Sequence, residues 1–181
     1  MKALISIVLL SLLFVAGSVC AQAPAPQFPC EKDERFSQFN FWVGQWEVHL
    51  ADGTFQGTNS ITSDYRNCVL VEDYATPTGF VGMSINYLDH QAGEWVQIWS
   101  DGSGSQINIR GGLTDDGMRL VGTIHYIGND TTLPFRGTWT PLEDGRVRQF
   151  FEQYNEQTET WDTWFEGFYT RTSDQAGAKE D

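Results

Sequence analysis

The sequence predicts an all-β protein: an antiparallel up-and-down β-barrel of about ten strands, preceded by a short N-terminal helical turn. Three observations lead there. Asp-Gly occurs four times, at Asp52-Gly53, Asp101-Gly102, Asp116-Gly117 and Asp144-Gly145, each between alternating or β-branched and aromatic runs, a strong hairpin signal. The breaks between runs span about two to six residues, too short for the crossover a parallel pair requires, so neighbours pair antiparallel. Strands such as Arg146–Tyr154 carry polar and aromatic residues on both faces. A sandwich core would be uniformly aliphatic on one side, whereas a lumen holding a ligand and some water accepts the mixture. A meander that pairs its last strand with its first also leaves no exposed edge.

Residues Met1 to Ala21 divide like a secretory signal, with Lys2 as the positive start, an apolar run from Ala3 to Ala16, and Gly17 and Ser18 leading into small residues. The run is too short to span a bilayer, and no stop-transfer pattern follows. Val19 stands before Cys20 where a lipid-anchor signal needs a small residue, so cleavage is expected near Ala21 and the protein is expected to be exported, periplasmic or secreted. Residues 22–32 read as an extended Pro/Ala/Gln tether. Asp33 then caps a helical turn over Glu34–Phe39.

The single barrel domain covers 33–172. Its strands are expected near Trp46–Leu50, Thr54–Thr62, Cys68–Tyr74, Phe80–Tyr87, Glu94–Ser100, Gln106–Arg110, Met118–Tyr126, Leu133–Thr140, Arg146–Tyr154 and Thr160–Arg171. Residues 173–181 read as a flexible tail.

Composition narrows the function. A formal net charge of −13 leaves no basic patch to replace counterions, so nucleic acid is not an expected partner. In an exported chain Cys30 and Cys68 remain after cleavage as an even pair, expected as a disulfide, with two buried thiols as the other reading. No Gly-x-Ser-x-Gly occurs, and Gly102-Ser103-Gly104-Ser105 reads as a hairpin loop. No His/Cys spacing suits a metal, no cofactor is expected, and Asp115-Asp116-Gly117 and Asn129-Asp130 read as turns.

Gly44-Gln45-Trp46 opens the first strand, and Arg171 follows Phe168-Tyr169-Thr170 near the end of the last. Together they resemble the Gly-x-Trp and answering Arg of lipocalins and the wider calycin barrels. That resemblance implies that Trp46 closes one end of the barrel with Arg171 stacked on it, while Gly44 lets the chain turn into the strand. Over nearly the whole mature chain the sequence is similar to a group of secreted bacterial lipocalin-like proteins. The match rests on Phe39-x-Phe41-Trp42-x-Gly44-x-Trp46, Asn86-Tyr87, Val147-Arg148-Gln149-x-x-Glu152, Thr160-Trp161 and Phe165-x-Gly167-x-Tyr169. The group implies the barrel and export, and no particular activity. Some barrels of the superfamily bind haem through a His, and His49, His90 and His125 align with no such ligand.

The candidate ligand site lies on the last hairpin. If Asn155–Glu159 joins the strands, Arg148, Phe150, Glu152 and Tyr154 share a face with Trp161, Thr163, Phe165 and Tyr169, and Arg171 has the parity of that face. The opposite face carries Gln149, Phe151, Trp164, Glu166 and Phe168. The first is preferred as the lumen, with Arg148 and Glu152 paired to each other or to a ligand. Trp99 and Trp139 add flat rings to a cavity wall.

The leading expectation is an exported barrel holding a small hydrophobic or amphipathic molecule. The alternatives are a lyase, isomerase or hydrolase using Glu152 or Glu166 with Arg148, and an envelope interaction protein with an exposed apolar patch.

Overall fold

A computed structural model describes residues 27–172, so the expected signal segment, residues 22–26 of the tether and the tail lie outside the described residues. The chain starts with a turn of helix, α1 (Pro29–Lys32), where Pro29 occupies the first turn and its missing N–H costs nothing. The end of the tether is therefore helical rather than extended. The helical segment expected at Glu34–Phe39 resolves into two 3₁₀ turns, Glu34–Ser37 and Asn40–Trp42, the first capped by the Asp33 carboxylate accepting from Arg35 N–H.

Ten strands follow: β1 (Gly44–His49), β2 (Phe55–Asp64), β3 (Val69–Ala75), β4 (Val81–Asp89) and β5 (Glu94–Asp101). The second half comprises β6 (Ser105–Thr114), β7 (Gly117–Tyr126), β8 (Thr131–Pro141), β9 (Val147–Asn155) and β10 (Thr160–Arg171). Each pairs antiparallel with its chain neighbour, and β10 pairs with β1 to close the barrel. Closure removes both sheet edges. Inward residues alternate with outward ones, as in the buried Gly57, Asn59 and Ile61 of β2.

One end of the barrel is shut. Gly44 takes φ +153°, a conformation that favours glycine, where the chain turns into β1. Trp46 faces inward in register with Arg171, whose guanidinium lies 4.2 Å above the indole and donates to Val43 O at 3.1 Å. Phe39 and Trp42 of the 3₁₀ segment enter the same end and pack against Trp139, with ring centroids 5.1 and 5.5 Å away. Trp95 meets the edge of Phe39 at 5.6 Å. All five rings are buried.

This plug is tied down at its edge. The Cys30–Cys68 disulfide joins α1 to the β2–β3 turn across a sequence separation of 38. Asp33 pairs with Arg35, and Arg35 reaches His90 Nε2 in the β4–β5 turn at 2.8 Å. The Arg35 side chain and N–H hold the Asp33 carboxyl down at about 2, well below the usual carboxylate range.

Candidate functional site

Above the plug the lumen opens into a cavity of about 220 Å³. Its upper wall is aromatic, formed by Tyr74, Phe80, Trp99, Phe151, Trp164 and Phe165. Three of these rings pack on a glycine, Trp99 on Gly82, Phe151 on Gly137 and Phe165 on Gly167. A Cβ on Gly82 would stand 2.2 Å from the Trp99 ring, and one on Gly137 would stand 2.4 Å from the Phe151 ring. The wall is thus shaped by residues that lack side chains as much as by those that have them. The Trp99 indole N–H also donates to Asp101 at 3.0 Å, which fixes the ring in plane.

The floor is polar. Inward positions of β2, β3, β4, β5, β9 and β10 carry Asn59, Glu72, Ser84, Gln97, Gln149 and Tyr169, all buried. Glu72 Oε1 accepts from Asn59 Nδ2 at 2.7 Å, and Oε2 accepts from Ser84 Oγ at 2.6 Å. Ser84 Oγ in turn accepts from Asn86 Nδ2 at 2.8 Å and from Gln97 Nε2 at 3.4 Å, which orients its one proton toward Glu72. The Tyr169 hydroxyl accepts from Asn59 Nδ2 and donates to Gln149 Oε1. Burial pushes the Glu72 carboxyl up to about 7, against the opposing hydrogen bonds from Ser84 and Asn59. Burial, and behind it the Glu72 charge, raises the Tyr169 phenol well above its usual range, so Tyr169 keeps its proton.

The expected site residues separate into three groups. Trp99, Phe165 and Tyr169 line the cavity. Trp139 is fully buried below it, in the aromatic plug. Arg148, Phe150, Glu152 and Tyr154 stand on the outer wall, and the preferred face of β9 is corrected: Val147, Gln149 and Phe151 point inward.

The reason is a bulge. Thr163 pairs with Glu152 and Phe165 with Phe151, so Trp164 is an extra residue in β10. It reverses the parity of everything after it. Trp161 and Thr163 therefore do share the outward face of Glu152, while Phe165 and Tyr169 turn inward.

The outward charges find partners across strands rather than along β9. Glu152 takes a two-pronged hydrogen bond from Arg136 at 2.6 and 2.7 Å, and Arg136 stacks 4.2 Å above Trp161, beside Tyr154. Arg148 pairs with Glu166 at 2.7 Å and lies 4.5 Å above Phe150. These ladders tie β8, β9 and β10 together from outside, and they remove Glu152 and Glu166 as cavity acids. The enzyme reading built on those two carboxylates has no geometry to support it.

Sequence reasoning missed Glu72, Asn59, Ser84 and Asn86 as members of one cluster. Each shared parity with apolar inward residues, as Glu72 does with Leu70 two positions before it, and that phase was the available signal. No family model matches the chain, and no curated protein is significantly similar to it.

Proposed function

We propose that the chain is an exported, lipocalin-like binding protein that holds one small, largely apolar molecule in its lumen. The observation that carries this reading is the cavity: an aromatic wall over a short polar floor, open at one end, is the construction of a small-molecule site. Its 220 Å³ exceeds the roughly 150 Å³ of an engineered apolar cavity that takes up benzene, so a ring with a short substituent fits. Export is supported by the secretory-type start of the sequence and by the disulfide, a bond of oxidising compartments. Among the described residues no helix is long and apolar enough to cross a membrane.

The outward residues Val81, Met83, Ile85 and Ile98 form an exposed apolar strip, the feature an interaction protein would show. A strip of four side chains is within what monomers ordinarily expose, so the cavity carries the conclusion. Native mass spectrometry of the exported protein tests it, together with titration of tryptophan fluorescence by a panel of lipophiles. One-to-one complexes that quench Trp99 and Trp164 are the expected result. The Trp99→Phe variant should lose most of the response. A panel without binders, and protein that carries no small molecule, would overturn the proposal.

A further inference from the structure

Resting on the binding-protein reading, we propose that the lumen recognises a cationic amine, its ammonium seated on the Glu72 carboxylate and its apolar body among the aromatic rings above. Glu72 is 2 % exposed, and that sliver faces the cavity. A buried carboxylate requires compensation. Ser84 and Asn59 supply one hydrogen bond each, and among the described residues Glu72 forms no ion pair. The groups that face it from the packed strands are Asn59 of β2, Tyr74 of β3, Ser84 of β4 and Tyr169 of β10, with Asn86 of β4 and Gln97 of β5 behind Ser84 and Gln149 of β9 behind Tyr169. None is a cation. The adjacent Asp73 points outward and adds negative charge.

The surrounding cluster also has more acceptors than donors. Asn59 spends its amide N–H groups on Glu72 and Tyr169, and Asn86 spends its own on Ser84 and Leu70 O. Their Oδ1 atoms are left buried without a donor. A carboxylate has further lone pairs after two hydrogen bonds, so an ammonium brings both the missing charge and the missing N–H groups. Tyr74, Phe80 and Trp99 present aromatic surface above it, which favours a cation over an anion. The net charge of −13 attracts the same class of ligand from a distance. An anionic ligand would meet a second negative charge in a low-dielectric site, and a neutral one would bring no charge to the ionised form of Glu72.

The test compares isosteres by calorimetry: 2-phenylethylamine and hexylamine against 2-phenylethanol and hexanol, on the wild-type protein and on Glu72→Gln. In the wild type each amine should bind at least about tenfold more tightly than its alcohol, the scale of a charge-assisted contact. Glu72→Gln should abolish that preference, since the amide keeps the shape of the carboxylate and removes its charge. The wild type also provides a readout that does not depend on a variant folding. An alkylammonium stays charged through neutral pH while Glu72 titrates, so amine affinity should be about tenfold lower at pH 6 than at pH 8, with the alcohols unchanged. Alcohols that match or exceed the amines, or lipophiles that bind while amines do not, overturn this inference and leave the binding-protein reading standing. A cavity that takes no lipophile, amine or alcohol overturns both.

Discussion

Burial raises Glu72 to about 7 because two neutral donors, Ser84 and Asn59, offset only part of the cost of a charge in the lumen. That shift has a thermodynamic consequence for the empty protein. A carboxyl raised from 4.5 to about 7 holds its proton more tightly when folded than when unfolded. Its contribution is therefore fully present below the unfolded value and is lost as pH rises through the window from 4.5 to about 7. The difference in unfolding free energy between wild type and Glu72→Gln, measured in urea at pH 4.5 and pH 8, should change by on the order of 3 kcal/mol, the wild type losing more. A flat difference would place Glu72 in contact with water. Gly82 supports a second test at this scale. A methyl group there would stand 2.2 Å from the Trp99 ring, so Gly82→Ala must displace the indole. We expect a shift in tryptophan emission, loss of the Asp101 hydrogen bond and weaker binding of any ring-bearing ligand, with a stability cost of about 1–3 kcal/mol.

The bulge in β10 is an element that changes what every following residue faces. Because the pairs on either side, Thr163 with Glu152 and Phe165 with Phe151, would be consecutive without Trp164, its deletion leaves both halves of the strand in register. The shortened protein should fold into the same barrel. It loses the Trp164 packing against Phe135 and Phe151 and the hydrogen bond to Tyr126, at a cost of about 1–3 kcal/mol by chemical denaturation, along with much of its ligand affinity. Deletion that scrambles the sheet would show that the bulge sets the register instead. The plug segment offers a parallel case: cleaving the Cys30–Cys68 bond by Cys68→Ser opens a loop of 38 residues and should destabilise by about 4 kcal/mol on the chain-entropy account.

These elements also explain what could be read in advance. Strands and hairpins were legible because alternation and Asp-Gly turns are local. Trp46 and Arg171 were legible because a known barrel pattern joins the two ends of the chain. The lumen face of β10 was not, since one unpaired residue reverses parity and leaves no local mark. Glu72 was hidden for another reason. Glu72-Asp73 reads as an ordinary charged pair until the strand register brings Asn59 and Ser84 against it, and Tyr169, 110 residues from Asn59, into the same network.

At the scale of the whole molecule, the join between β1 and β10 closes a sheet whose other pairings are all between chain neighbours. Arg171 reinforces that join twice, by stacking on Trp46 and by its hydrogen bond to Val43 O. Arg171→Ala should cost about 1 kcal/mol, and Arg171→Lys should recover only part, because an ammonium does not stack as a guanidinium plane does. Melting curves of the two variants, with hydrogen exchange at β1 and β10, would show whether the loss is confined to the seam. The aromatic plug at the same end has a different kind of consequence. With Phe39, Trp42 and Trp139 filling the axis and the Cys30–Cys68 bond pinning the segment that carries Phe39 and Trp42, the described barrel is shut at that end, so a guest would arrive and depart at the other. A guest that enters with its polar end leading must leave with its apolar end leading. For an amine of the kind proposed, the hydrocarbon would reach the lip before the charge, and the order of unloading would be the reverse of the order of loading.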